Sequence, residues 1–269
     1  MILFNDELIE NDQFYVPFND RALAYGDGLF ETIIHRDGKI QLLDYHIDRI
    51  TGGLALLKMD IPDMIKSSLV QESVLKLLEV NGLDGQHARI KLTVWRKPGG
   101  LYLPTGSDAN CMVTVAKAVE PSTSPAHVGI AQEVRLQKHK LSAFKTISAL
   151  HYVVANMEKR TRQLDDLILL SSSGHVAECL YANVFWVIDG VYHTPSTETG
   201  CVGGVMRRHL IAQLEKHGVV VIEAQSSVDE LLKSQYIFSA NVTGCRPIAS
   251  VEGTKISTEL PEAIQQLVL

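Results

Sequence analysis

Residues 167–195, LILLSSSGHVAECLYANVFWVIDGVYHTP, decide how this chain folds. LILLSS, HVAECLYANVFWVI and VYHTP read as three strands, bounded by Ser173-Gly174 and Asp189-Gly190 turns. The stretch is therefore a three-strand meander. Glu178 is the odd residue in it. A carboxylate in an otherwise apolar strand faces solvent or meets a cationic partner, because an unpaired buried charge costs too much. Asn183, five residues on, falls on the opposite face by strand parity unless a bulge intervenes.

Downstream, TETGCVGGVMRRHL has the form of an anion site. A glycine-rich turn runs into a helix over 205–217, closed by Gly218, so free N–H groups and the positive helix end converge. By itself it also fits a plain glycine-rich loop. Strands VVVIEA and YIFSA follow, with helix VDELLKS between them. SANVTGC, rich in small and hydroxyl residues, is a second strand-to-turn segment that could complete the cradle.

Upstream, a helix is expected over 147–160, and Lys145 stands just before it among Leu141, Phe144 and Ile147. Partial burial favours the neutral amine, the form that attacks a carbonyl carbon. The same segment also fits a surface lysine at a helix start. EPSTSPAH, 120–127, is the linker between the halves of the chain, with domains expected over 1–119 and 128–269.

The first half alternates strands and helices. FETIIHR and KIQLL flank Asp37-Gly38, a hairpin signal. DYHIDRITGGLALLKM is a helix with Asp44 as N-cap and Ile47, Ile50, Leu54 and Leu57 on one face. Gly52 and Gly53 disfavour it and predict a close packing partner. Arg49 offers a guanidinium that suits a phosphate. Pro62 opens a second helix that stops at Asn81-Gly82, and ARIKLTVW and CMVTVA are strands. The architecture is α+β in two domains.

Composition narrows the function. The 269 residues are 46% hydrophobic and 21% charged, typical of globular proteins. A net charge of -6 without a basic stripe argues against nucleic acid as a partner. No apolar run reaches the roughly 18 residues of a membrane span, and MILFNDELIENDQF lacks the features of a secretory signal. Four scattered cysteines show no metal-ligand spacing and predict free thiols in a reducing cytoplasm.

Taken in order, these features resemble the class-IV aminotransferase family. NDRALAYGDGLFETI (19–33) is similar to its N-terminal signature, and His46-x-x-Arg49-Ile50 to its H-x-x-R-L helix. FKT around Lys145 resembles the Schiff-base lysine segment, and Glu178 to Phe185 the E-x-x-x-x-N-[hydrophobic]-F motif. Thr194-Pro195, Gly204-Val205-Met206-Arg207, Asn241-Val242 and Pro247-Ile248 resemble the segments that complete the pattern.

The resemblance implies a two-domain fold-type-IV enzyme, similar to D-amino-acid aminotransferase, with pyridoxal 5′-phosphate in its cleft and a homodimer closing the site. Lys145 would hold the cofactor and move the proton. Arg49, Asn183, Gly204, Val205, Met206, Asn241 and Val242 would surround it, with Glu178 on the pyridine nitrogen. That carboxylate would keep the nitrogen charged and the ring electron-poor. Met206 stands where the family carries a threonine, leaving phosphate contacts there to N–H groups and neighbouring side chains.

Tyr25, Phe30, Glu31, Arg96 and Tyr102 are the implied substrate residues for a small amino compound. Arg96-Lys97-Pro98-Gly99-Gly100-Leu101-Tyr102 resembles the R-G-x-G-G-x-x-Y loop of aminodeoxychorismate lyases, which release pyruvate and 4-aminobenzoate for folate synthesis. It lacks the R-x-H pair of D-amino-acid transaminases, and Asn241 replaces the threonine of branched-chain enzymes. The resemblance thus favours the lyase over a transaminase for branched-chain L-amino acids or D-amino acids.

Overall fold

The computed structural model describes residues 1–65 and 67–267. The chain forms two compact units: Met1–Val119 with Phe144–Ser148, and Glu120–Ala143 with the chain from Ala149. Residues 144–148 thus return to the first unit, across the boundary expected at 120–127.

The first unit contains β1 (Ile2–Phe4), β2 (Glu7–Ile9), α1 (Arg21–Tyr25), β3 (Gly28–Arg36), β4 (Lys39–Ile40), α2 (Leu43–Leu56), α3 (Ser67–Val80), β5 (Ala88–Arg96) and β6 (Ala109–Lys117). Its sheet runs β2-β1-β6-β5-β3-β4. Asp37 and Gly38 take φ of 51° and 72°, the double positive turn that Asp-Gly allows. Along β3, Leu29 and Ile33 join Ile90, Leu92, Val94 and Val113 in a core with Ile50, Leu54, Val74 and Leu77 of the two longer helices. Phe30 and Thr32 alternate to the other face.

Gly53 has the close partner expected of it. A Cβ there would lie 2.5 Å from Leu29 Cδ1 and 2.9 Å from Phe144 Cδ1. The α2 N-cap, however, is Leu42 in the left-handed conformation (φ 51°), not Asp44. Asp44 lies in the first turn, where its charge favours the helix dipole instead. After Pro62 the chain makes a 3-10 turn, Asp63–Ile65, before α3 begins. Lys66, part of the helix expected there, lies outside the described residues.

The second unit contains β7 (Ala126–Leu136), α4 (Leu150–Thr161), β8 (Asp166–Ser171), β9 (Val176–Cys179), β10 (Asn183–Ile188), β11 (Val191–Pro195), α5 (Val205–Lys216), β12 (Val221–Ala224), α6 (Val228–Leu231), β13 (Tyr236–Asn241), β14 (Gly244–Val251), β15 (Thr254–Lys255) and α7 (Glu262–Leu267). β7 begins inside the segment expected as linker. The main strands order β12-β11-β10-β13-β14-β7-β8-β9. Leu167 and Leu169 enter one core, Ile168 and Leu170 another, so β8 is covered on both faces and reads as an unbroken apolar run.

The meander has four strands rather than three. HVAECLYANVFWVI breaks at 180–182, where Cys179 N donates to Ala182 O at 2.8 Å. β9 then pairs β8, while β10 pairs β11 and β13. Strand parity therefore does not relate Glu178 to Asn183. β14 is not legible as a strand because Pro247 argues against a central one; it nevertheless lies between β13 and β7.

Candidate active site

In the first unit, residues 145–147 run antiparallel to the start of β3. Leu29 faces Thr146, Phe30 N donates to Lys145 O at 2.9 Å, and Ile147 N donates to Gly28 O at 3.0 Å. These bonds hold the segment extended, so α4 starts at Leu150 and not at Ile147. Gly28 is needed here: a Cβ would lie 2.5 Å from Val94 O and 2.6 Å from Ile147 Cδ1. Lys145 is half-buried, and its Nζ lies 4.8 Å from the centre of the Phe30 ring. Lys91 Nζ lies 5.3 Å from the same centre. The candidate nucleophile is therefore positioned by sheet bonding, against an aromatic face.

On the core side of β3, Glu31 accepts from Arg49 Nε at 2.7 Å and from Arg49 Nη2, and His46 Nδ1 is 2.6 Å from Glu31 Oε2. All three residues are buried. Burial alone raises the Glu31 pKa, but the charge and hydrogen bonds of Arg49 and the bond from His46 outweigh it and leave the pKa lowered. Burial holds the His46 pKa down against the pull of Glu31, helped by the charges of Arg49 and Lys145. Glu31, expected among the substrate residues, fixes Arg49 and His46.

Arg96, also expected among the substrate residues, is bonded to protein groups through all three guanidinium nitrogens. Its Nε donates to Asp27 Oδ2 at 3.0 Å, Nη2 to Leu57 O at 2.6 Å, and Nη1 to Lys58 O and Gly106 O. Arg21 grips the same Asp27 oxygen at 2.8 Å and bonds Gly99 O and Leu101 O. Two buried arginines sharing one carboxylate thus hold the 97–106 loop. At its exposed tip Tyr102 meets Tyr25, ring centres 5.5 Å apart. Arg21 and Asp27 fall within the 19–33 signature, but their hold on the loop is not legible in the sequence because that loop is far along the chain.

In the second unit, Glu178 is 3% exposed. Its carboxylate accepts from the Tyr152 hydroxyl and, at 2.9 Å, from Val202 N. Burial, then the Glu178 charge, pushes the Tyr152 pKa far up, so the phenol stays protonated and donates. Tyr152 carries no signal in the sequence, because nothing local distinguishes it from the apolar residues of α4.

Val202 leads into the glycine turn. Gly204, the N-cap of α5, is extended (φ -61°, ψ 141°), and Arg208 N makes the first helical bond, to Gly204 O. The N–H groups of Val205, Met206 and Arg207 have no intrahelical acceptor by geometry and mark the anion-favouring end of the helix. Met206 is buried and contributes no hydroxyl. Arg207 turns away, donating to Pro195 O at 2.8 Å and Glu223 at 2.5 Å. Asn183 Nδ2 donates to Val202 O at 2.8 Å, so it contacts the loop.

Asn241 ends β13 and Val242 lies in the turn to β14. Asn241 Oδ1 accepts from Thr243 N at 2.8 Å and Thr243 Oγ1 at 2.6 Å, and its Nδ2 donates to Tyr181 O. Its side chain therefore shapes the turn. A buried carboxylate held beside a glycine-lined helix N-terminus, where a Cβ on Gly204 would overlap Asn183 Oδ1, fits the ring and phosphate of pyridoxal phosphate.

This chain belongs to the amino-transferase class IV family, whose sequence pattern matches residues 28–251. It is 28% identical to the aminodeoxychorismate lyase of Vibrio harveyi, over 93% of this chain and 92% of that protein. It is 24% identical to the D-alanine aminotransferase of Listeria monocytogenes, over 95% and 89%. Its fold matches a T.th. branched-chain amino acid aminotransferase, solved with N-(5′-phosphopyridoxyl)-L-glutamate, at a TM-score of 0.87, 21% identity and 98% and 90% coverage. The α+β fold is that of the fold-type-IV aminotransferases, and the chain is an enzyme of that family.

Proposed function

We propose that this enzyme uses pyridoxal 5′-phosphate, carried covalently on Lys145, to cleave 4-amino-4-deoxychorismate into 4-aminobenzoate and pyruvate. The observation that carries the cofactor assignment is Glu178, a buried carboxylate fixed by Tyr152 and the Val202 N–H beside the turn into α5. The phosphopyridoxyl complex of the branched-chain aminotransferase supports it.

When bound, the cofactor supplies an aldehyde that condenses with amines and a ring that withdraws electrons from the carbon bearing the substrate amine. Glu178 would hold a proton at the pyridine nitrogen. The first-turn N–H groups of α5 would hold the phosphate, with the Asn241-Val242 turn completing the cradle, and the Arg49 guanidinium has the chemistry for the same group. The Lys145 amine would take the proton from the amine-bearing carbon of the substrate. Loss of the enolpyruvyl oxygen from the neighbouring ring carbon would leave 4-aminobenzoate, and the proton held on Lys145, passed to the enolpyruvyl methylene carbon, would complete pyruvate.

The lyase assignment is supported by the loop from Arg96 to Tyr102, by Asn241, and by the similarity to the Vibrio harveyi enzyme. The second reading, transamination of D-amino or branched-chain L-amino acids with 2-oxoglutarate, is favoured by the similarity to the Listeria enzyme. Incubation with aminodeoxychorismate should release pyruvate and 4-aminobenzoate in equal amounts. Fast glutamate formation from D-alanine or L-leucine plus 2-oxoglutarate, with no pyruvate from aminodeoxychorismate, would assign the transaminase instead.

We further propose a cytoplasmic homodimer. The unpaired state of all four cysteines supports the compartment. Leu150, Val153, Val154 and Met157 form an exposed apolar stripe on α4, at spacing suited to a helix-face contact, which supports the dimer. Sedimentation at micromolar concentration should return twice the chain mass of 29.7 kDa.

A further inference from the structure

Glu178 and Asn183 lie on different strands and grip the two ends of one residue, Val202. Glu178 Oε2 accepts from Val202 N at 2.9 Å, and Asn183 Nδ2 donates to Val202 O at 2.8 Å. Both side chains are at least nine-tenths buried, at 3% and 5% exposure. The same carbonyl accepts from Gly204 N at 2.9 Å, and Gly203 N donates to Ala143 O at 2.9 Å. The N–H groups of Val202, Gly203 and Gly204 are thus committed to the shape of the turn. The N–H groups left for an anion are those of the first turn of α5, and their placement depends on the Val202 backbone. Asn183 Oδ1 occupies the place of a Cβ on Gly204, so the contact is close on both sides of the amide.

We propose that Asn183 is a positioning residue, not a cofactor ligand, and that with Glu178 it clamps the Val202 backbone so that the ring and phosphate ends of the site are set as one unit. The proposal rests on the cofactor reading above. It makes Glu178 serve two ends: its carboxylate faces the ring nitrogen and also holds the loop that presents the phosphate donors. A clamp of this kind has a signature that charge alone does not produce. Removing a carboxylate near an anion site should tighten phosphate binding by simple electrostatics. Removing it from the clamp should loosen binding, because the donors lose their fixed placement.

The test is calorimetric titration of inorganic phosphate into the cofactor-free protein, with pyridoxal phosphate titrated in parallel. Glu178→Ala and Glu178→Gln remove the same charge, but glutamine keeps an acceptor for Val202 N–H. The clamp predicts that Glu178→Ala binds phosphate roughly 3- to 10-fold more weakly than Glu178→Gln, the scale of one hydrogen bond. Asn183→Ala, lacking the amide donor, should weaken phosphate to a similar degree, and Asn183→Asp, which lacks the donor and adds a charge, should weaken it more. The Asn183→Ala/Glu178→Ala pair should lose little more than either single change, since both act through one residue. Thermal melts identify any variant that fails to fold, and the two Glu178 variants then decide the matter without Asn183→Ala. Equal phosphate affinity in Glu178→Ala and Glu178→Gln, native affinity in a folded Asn183 variant, or full additivity would overturn the clamp. A native protein that takes up neither phosphate nor pyridoxal phosphate would overturn the cofactor reading itself.

Discussion

Glu31 and Arg49 form a buried pair on the core side of β3, with the guanidinium Nε and Nη2 against the two carboxylate oxygens and His46 on one of them. Removing one partner of such a pair leaves a buried charge uncompensated, so Glu31→Gln should cost about 3–5 kcal/mol near neutral pH. Burial pushes the Glu31 pKa up, but Arg49 and His46 outweigh it and leave the pKa below 4.5. A lowered carboxylate pKa contributes stability above the unfolded value that is lost as pH falls through the folded one. The gap between native and variant unfolding free energies should therefore narrow as the pH drops below 4.5. Denaturant titrations at several pH values check this; a constant gap would show that the pair does not carry the effect.

Gly53 tests the packing of α2. Alanine is the better helix former by about 1 kcal/mol, yet its Cβ would stand 2.5 Å from Leu29 Cδ1 and 2.9 Å from Phe144 Cδ1. Overpacking of this kind costs about 1–3 kcal/mol. Gly53→Ala should lower the melting temperature, and a raised one would mean that Leu29 and Phe144 yield freely.

Much of this arrangement is legible in the sequence where the signal is local. Asp37-Gly38 announces its hairpin, Gly53 its close partner, and Gly203-Gly204 the entry to α5. Lys145, Arg49 and Glu178 are legible as an ordered set, and the roles proposed for them follow from their residue types. What stays hidden depends on partners distant in the chain. Residues 145–147 extend because β3 bonds them, and the break at 180–182 carries neither Gly nor Pro to mark it. The bonds of Glu31 to Arg49 and His46, and of Arg96 to Asp27 and the loop carbonyls, are likewise set by the fold and not by local sequence.

Tyr152→Phe isolates one hydrogen bond to the Glu178 carboxylate. A bond to a charged acceptor is worth about 1.5 kcal/mol or more, roughly tenfold in an equilibrium constant. The variant should keep the native melting profile of the cofactor-free protein within a few degrees and bind pyridoxal phosphate about tenfold more weakly. Unchanged affinity would remove Tyr152 from the site's support.

Asp166 supplies a pH dependence of opposite sign. Burial raises its pKa from 3.8 to about 6, against the bonds from the Leu167 and Leu180 N–H groups. A raised carboxylate pKa contributes stability that is complete below 3.8 and is lost as pH rises through about 6. Asp166→Asn keeps an acceptor without the charge. It should gain on the native protein across that window, by on the order of 2–3 kcal/mol at its upper end. Parallel unfolding curves across the window would contradict the assignment.

The central claim is that Lys145 carries pyridoxal phosphate, and borohydride reduction followed by peptide mass mapping tests it most directly. The protein should be yellow as isolated with the cofactor, lose that colour on reduction, and yield one phosphopyridoxyl-modified peptide, with the added mass on Lys145. Lys145→Ala should give a colourless protein with no modified peptide. Modification at another lysine, or an unchanged visible band in Lys145→Ala, would contradict the account.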